Sequence, residues 1–176
     1  MSARIGHRAA GARRAAHAGY TLLEALIVLA ILGVMTSLMV VNFERNEAQA
    51  LEHEAQRLAA LLRAARDEAV LSGHALAWRA HTGGHTFLRR DGDSAWRPLE
   101  PGTPYGARAW PEPVALTRFQ LNGMPGVSGA PLVFSSSGVN PPFELELASG
   151  GWRVALHADF SGAIRVLPLQ QPESAR

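Results

Sequence analysis

The sequence predicts an α+β fold, with one long amino-terminal helix packed on antiparallel sheet. Three observations predict it. A run without charge or proline, Ala25–Val41, leads into residues 44–71, which lack Gly and Pro and are rich in Ala, Leu, Glu and Arg. After Gly73 the pattern changes to short alternating runs split by turn residues, the signature of strands. The whole fits in 176 residues, enough for one modest domain plus an anchor, with 47% hydrophobic and 18% charged residues, which is not a disordered composition. The chain has no cysteine, so disulfides, thiolate zinc sites and Cys nucleophiles are excluded.

The first element is an address. Residues 1–19 carry Arg4, Arg8, Arg13 and Arg14 and no acid, whereas the other thirteen arginines face all fifteen carboxylates, a net −2. The formal charge of +2 therefore hides a mildly acidic body, and net charge does not argue for nucleic acid. With Tyr20, Leu22, Leu23 and Phe43, the run Ala25–Val41 can cover a hydrocarbon core of about 30 Å. Basic residues before it and Glu44 and Glu47 after it place the amino end in the cytoplasm and the body across the membrane. A secretory signal peptide cut after Ala48-Gln49-Ala50 is the competing reading. Against it, the apolar run is longer than the usual 7–15 residues, and Glu24 sits in its leading edge.

The segment Gly19-Tyr20-Thr21-Leu22-Leu23-Glu24-Ala25-Leu26-Ile27-Val28-Leu29 resembles the class III signal of type IV pilins and pseudopilins. A carboxylate within a membrane span is costly and rare, which makes the resemblance specific. It implies that prepilin peptidase cuts between Gly19 and Tyr20 and methylates the new amino terminus. Tyr20 stands where the family usually has Phe or Met, and it keeps an aromatic ring. The new amino group of a neighbouring subunit could then offer a cation to Glu24 in a low-dielectric setting.

The second element is the amphipathic half of the helix. Ala48, Leu51, Ala55, Leu58, Leu62, Ala65 and Ala69 recur at spacings of 3 and 4, with Arg57, Arg63 and Asp67 off the stripe. A coiled coil is possible, but half the stripe is alanine, which suits close packing on the protein's own sheet. Ser72-Gly73 supplies the stop. Together the two halves read as one helix from about Thr21 to Leu71, about 75 Å long at the helical rise.

The strands follow. Leu76, Trp78 and Ala80 alternate, Thr82-Gly83-Gly84 turns, Phe87 returns, and Asp91-Gly92-Asp93 ends the hairpin. Pro98, Pro101, Pro104, Pro111 and Pro113 make residues 98–113 a surface loop. Val114 to Leu121 and Leu132–Phe134 resume strand character around a Gly/Pro stretch. Phe143, Leu145 and Leu147 then alternate with Glu144 and Glu146. Gly150-Gly151 turns into Trp152, Val154 and Leu156, and Ile164, Val166 and Leu167 close after a turn at 159–162. The tail from Gln170 reads as loose.

Phe134-Ser135-Ser136-Ser137-Gly138, Pro142 to Leu147 and Phe160 to Val166 are similar to the carboxy-terminal part of the GspH/FimT pseudopilins. The resemblance implies a pilin-like minor subunit: leader 1–19, transmembrane helix segment 20–43 and periplasmic domain 44–176, with helix 44–72 and β region 74–168. It implies a single-pass inner-membrane protein of a type II secretion pseudopilus. Its partners would be other minor and major pseudopilins, prepilin peptidase and the inner-membrane secretion platform. The alternative is a FimT-like minor type IV pilin acting in pilus priming or DNA uptake.

Little chemistry is expected. His81 and His85 flank a turn without a carboxylate at ligand spacing and read as a solvated hairpin pair, so no metal or cofactor site is assigned. Glu144 and Glu146 share a strand face as an exposed stripe rather than a catalytic pair. Arg89, Arg90, Arg97, Arg108 and Arg118 interleave with Trp96, Tyr105 and Trp110, a mixture suited to a protein interface or to single-stranded nucleic acid. The carboxy terminus QQPESAR has a single Arg and a Glu, which weakens the nucleic-acid reading. No catalytic residue and no small-molecule substrate are expected.

Overall fold

The computed structural model describes residues 22–91, 95–127 and 129–171; for 38–45 it describes the backbone alone. The chain divides into two units, Met1–Val40 and Val41–Arg176. Helix α1 spans Leu22–Ser72, and the division falls within it.

In the second unit the expected stripe is the helix's contribution to the core. Leu51, Ala55, Leu58, Leu62, Ala65 and Ala69 are all fully buried, joined by Ala59. Alanines at these positions let the helix lie close to the sheets, while each buried leucine contributes about 1.5–3 kcal/mol of apolar burial. The helix stops at Ser72, whose Oγ donates to the Glu68 carbonyl and accepts the His74 N–H.

Among the described residues ten strands follow: β1 Leu76–His81, β2 Gly84–Asp91, β3 Ala95–Pro98, β4 Arg108–Ala109, β5 Ala115–Leu121, β6 Met124–Pro125, β7 Leu132–Phe134, β8 Phe143–Ser149, β9 Trp152–Ala158 and β10 Ile164–Val166. They form two antiparallel five-stranded sheets. The first runs β3-β2-β1-β7, with β4 sharing the outer edge of β2; the second runs β10-β9-β8-β5-β6. The inner faces supply Trp78, Phe87, Leu132 and Phe134 from one sheet and Leu145, Leu147, Val154 and Leu156 from the other. Trp78 and Phe119, edge to face at 6.2 Å between ring centroids, join the two sheets.

Three expectations are corrected. The proline-rich segment is not simply a surface loop: Pro98 ends β3 on an edge, where its missing N–H costs nothing, and β4 pairs inside the segment. Trp110 is 8% exposed, so the segment also feeds the core. The Gly/Pro stretch after Leu121 holds a small hairpin, with Asn122 and Gly123 both at positive φ (54° and 75°), the backbone of a two-residue turn whose twist matches its strands. Gln170 is not loose, since it exchanges two 2.8 Å backbone hydrogen bonds with Arg153.

Candidate functional site

The amino-terminal half of α1 exposes its apolar side chains on every side. Leu26, Ile27, Val28 and Leu29 are consecutive, so at about 100° per residue they point all round the helix. From Leu22 to Met35 the exposure of the large apolar residues runs from 45% at Val28 to 82% at Leu22. No helix of an aqueous domain keeps such a surface; it belongs against lipid or against other apolar helices. Thr36 fits that setting because its hydroxyl is satisfied within the helix, donating towards the carbonyls of Leu32 and Gly33 at 2.9 and 3.0 Å. Among the described residues no helix is long and apolar enough to cross a membrane. The apolar run continues beyond Ser37 into residues 38–45, whose side chains lie outside the description.

Glu24 lies in the first turn of α1, on this apolar surface. Gly19 and Tyr20, and the leader 1–19 with them, lie outside the described residues.

The folded domain rearranges the other candidates. His81 and His85 are not a solvated pair: His81 pairs with Gly84 and His85 with Ala80, which puts the two imidazoles on opposite faces of the hairpin. His85 is 1% exposed, among Trp78, Phe87 and Trp110, and neither ring nitrogen has a hydrogen-bond partner. Burial first, then the positive charges of Arg57 and Arg108 and the nearby His81, lower its pKa to about 4, so it is neutral at neutral pH. The alternation that puts His85 on the same face as Phe87 was the available signal; proximity to the turn concealed it.

The arginine–aromatic group is divided rather than gathered. Arg90 lies over the Trp96 ring at 5.3 Å, and Arg97 reaches Asp91 at 3.6 Å. Arg118 belongs to the other sheet, within 3.7–3.8 Å of Glu144 and Glu146, and Arg153 reaches Glu146 at 3.5 Å. Glu144 and Glu146 are thus partly covered by these arginines, not an open stripe. Among the described residues no group of three or more His, Asp or Glu could hold a metal ion. Among the described residues that line a cleft of about 310 Å³ between Ala80, Trp110, Leu116 and Phe119, His81 is the titratable one, and none of the others could serve it as an acid–base partner.

A helix with an uncovered apolar amino-terminal half, an alanine-rich second half in the core, and antiparallel sheets on that half define a type IV pilin-like subunit. The comparisons make this specific. Residues 54–162 match the family described as Type II transport protein GspH, and residues 14–40 match the prokaryotic N-terminal methylation motif. The type II secretion system protein H of Pseudomonas aeruginosa is 32% identical over 149 residues, covering 76% of this chain and 84% of that protein. The minor pseudopilin EpsH from the type 2 secretion system of Vibrio cholerae superposes with a TM-score of 0.56 at 26% identity, over 66% of this chain and 95% of that one. Escherichia coli GspH gives 0.50 at 25% identity, over 73% and 90%. The chain belongs to the GspH family, and it is a minor pseudopilin of a type II secretion system. The family and the methylation motif make it a membrane-anchored periplasmic protein that works with other pseudopilins.

Proposed function

We propose that this subunit is a structural part of the tip of a periplasmic pseudopilus that supports export of folded proteins across the outer membrane. The observation that carries the reading is the apolar surface of α1 from Leu22 to Met35, with Glu24 set in its first turn. A helix of this kind holds a subunit in the inner membrane and then among neighbouring helices, with one kind of surface serving both. Residues 1–19 act as the leader, 20–43 as the single-pass span with its amino end in the cytoplasm, and 44–176 as the periplasmic domain. Prepilin peptidase cuts between Gly19 and Tyr20 and methylates Tyr20, and the amino group of one subunit pairs with Glu24 of the next. Core geometry supports this processing over a cut after Ala50. Leu51 is fully buried, and such a cut would put a charged amino terminus on the first core residue. The role is mechanical and associative rather than catalytic.

The test is crosslinking of the subunit to other pseudopilins, measured with secretion, in strains carrying Glu24→Ala or Glu24→Gln. Both variants should insert, be cleaved and fold, yet crosslink weakly and secrete poorly. Full crosslinking and full secretion by Glu24→Ala would remove the assembly role from this carboxylate.

A further inference from the structure

His85 takes no part in the role above, yet it is the most confined titratable side chain in the aromatic core. Its ring centroid lies 5.0 Å from that of Trp110, 5.9 Å from Phe87 and 6.0 Å from Trp78. One wall of this box is slight. Strand β4 holds β2 through two residue pairs, Gly84 with Ala109 and His85 with Arg108, whereas β1 holds β2 through six. Trp110 follows β4 directly, donating its N–H to the Gly83 carbonyl at 3.1 Å. At the other end of the same segment, the Leu99 N–H donates to the Phe87 carbonyl at 3.0 Å, and the Tyr105 ring rests on Phe87 at 5.3 Å. Residues 99–114 are therefore closed over β2 at His85 and at its neighbour two positions on.

We propose that His85 is an acid-operated latch: its neutral ring holds the 99–114 segment closed, and protonation releases β4 and Trp110 from β2 while the second sheet stays folded.

A neutral imidazole suits an aromatic box, but an imidazolium carries two N–H donors and finds no acceptor there. Attraction to the indole faces offsets part of that cost without supplying an acceptor. The charged or titratable groups whose charge reaches the ring are Arg57 of α1, which Glu54 holds at 3.2 Å, Arg108 of β4 and, from the opposite face of the hairpin, His81 of β1, and each acts against a positive charge at His85. The depressed pKa of about 4 agrees with this arrangement. With the ordinary value of 6.5 in the opened segment, closure is at full strength above pH 6.5 and is lost as pH falls towards 4.

Hydrogen exchange of the full chain in detergent micelles, corrected for the intrinsic rate at each pH, tests the latch. Peptides containing the Leu99 and Trp110 amides should lose protection about tenfold or more between pH 7 and pH 5. The β8–β9 hairpin should keep its protection. His85→Phe, which fills the box and cannot titrate, should abolish the loss, and that variant also separates His85 from carboxylates such as Glu54 and Glu68. Arg108→Gln should shrink the loss, because it removes a cation that disfavours the charged ring. An unchanged loop down to pH 5, an equal loss in His85→Phe, or a loss shared by β8–β9 would overturn the proposal. Should His85→Phe lose β8–β9 protection already at pH 7, Arg108→Gln decides, and an undiminished loss there overturns it.

Discussion

Arg63 donates two hydrogen bonds, from Nε at 3.0 Å and Nη2 at 2.7 Å, to the carbonyl of Ile164, 101 residues further along the chain. One guanidinium thus ties α1 to β10, the edge strand of the second sheet. Arg66, one position short of the next turn, donates to the Gly162 carbonyl and repeats the tie at the preceding hairpin.

Arg63→Ala should cost about 1.5–3 kcal/mol, the range for charge-assisted hydrogen bonds in partly buried sites. Arg63→Lys, which keeps the charge but not the fork, should recover part of it. Denaturant unfolding of the purified chain measures both; equal stability of Ala and wild type would show the tie to be incidental.

The stripe makes a sharper demand on volume. Leu58→Ala should lose about 2–5 kcal/mol through lost burial and the cavity left behind. Ala59→Leu, one position along and also fully buried, should lose about 1–3 kcal/mol by overpacking. A tolerant Ala59→Leu variant would mean that the helix does not sit as close to the sheets as its alanines imply.

Gly84 has a neighbour rather than a turn to explain it. A Cβ there would run into the Arg108 carbonyl oxygen and lie 2.9 Å from the Ala109 Cα, so Gly84→Ala should push β4 off β2. Proteolysis within 99–114 should accelerate while the β8–β9 hairpin stays protected. Unaltered cleavage would show that β4 can shift without opening.

Processing is checked by mass. The mature subunit should begin with N-methylated Tyr20, and Gly19→Val or Gly19→Asp should accumulate uncut precursor. A mature amino terminus at Leu51 would instead establish a secretory signal peptide.

The parts that could be read from the sequence are those with regular period. The stripe from Leu51 to Ala69 repeats every three or four residues, and Phe143 to Leu147 alternates cleanly; both lie in the core as the pattern implies. What could not be read depends on contacts without period. Prolines mark residues 98–113 as loop, but nothing local announces that Trp110 will fold back onto a histidine twenty-five residues earlier. The division into two sheets is equally hidden, because β1 pairs with β7 and β5 with β8, partners that no local pattern names. At the amino-terminal end an acid in an apolar run stands out in the sequence, whereas the pairing proposed for Glu24 involves a second subunit and leaves no trace in a single chain.

The bond from Arg63 to Ile164 also sets an order of events. The apolar stripe of α1 leaves the ribosome about a hundred residues before the strand that Arg63 holds. The helix must therefore wait for this tie until Ile164 has been made, with loop closure across about a hundred residues still to come. A chain cut just short of Ile164 would have every helix residue of the stripe in place and lack the carbonyl that Arg63 holds.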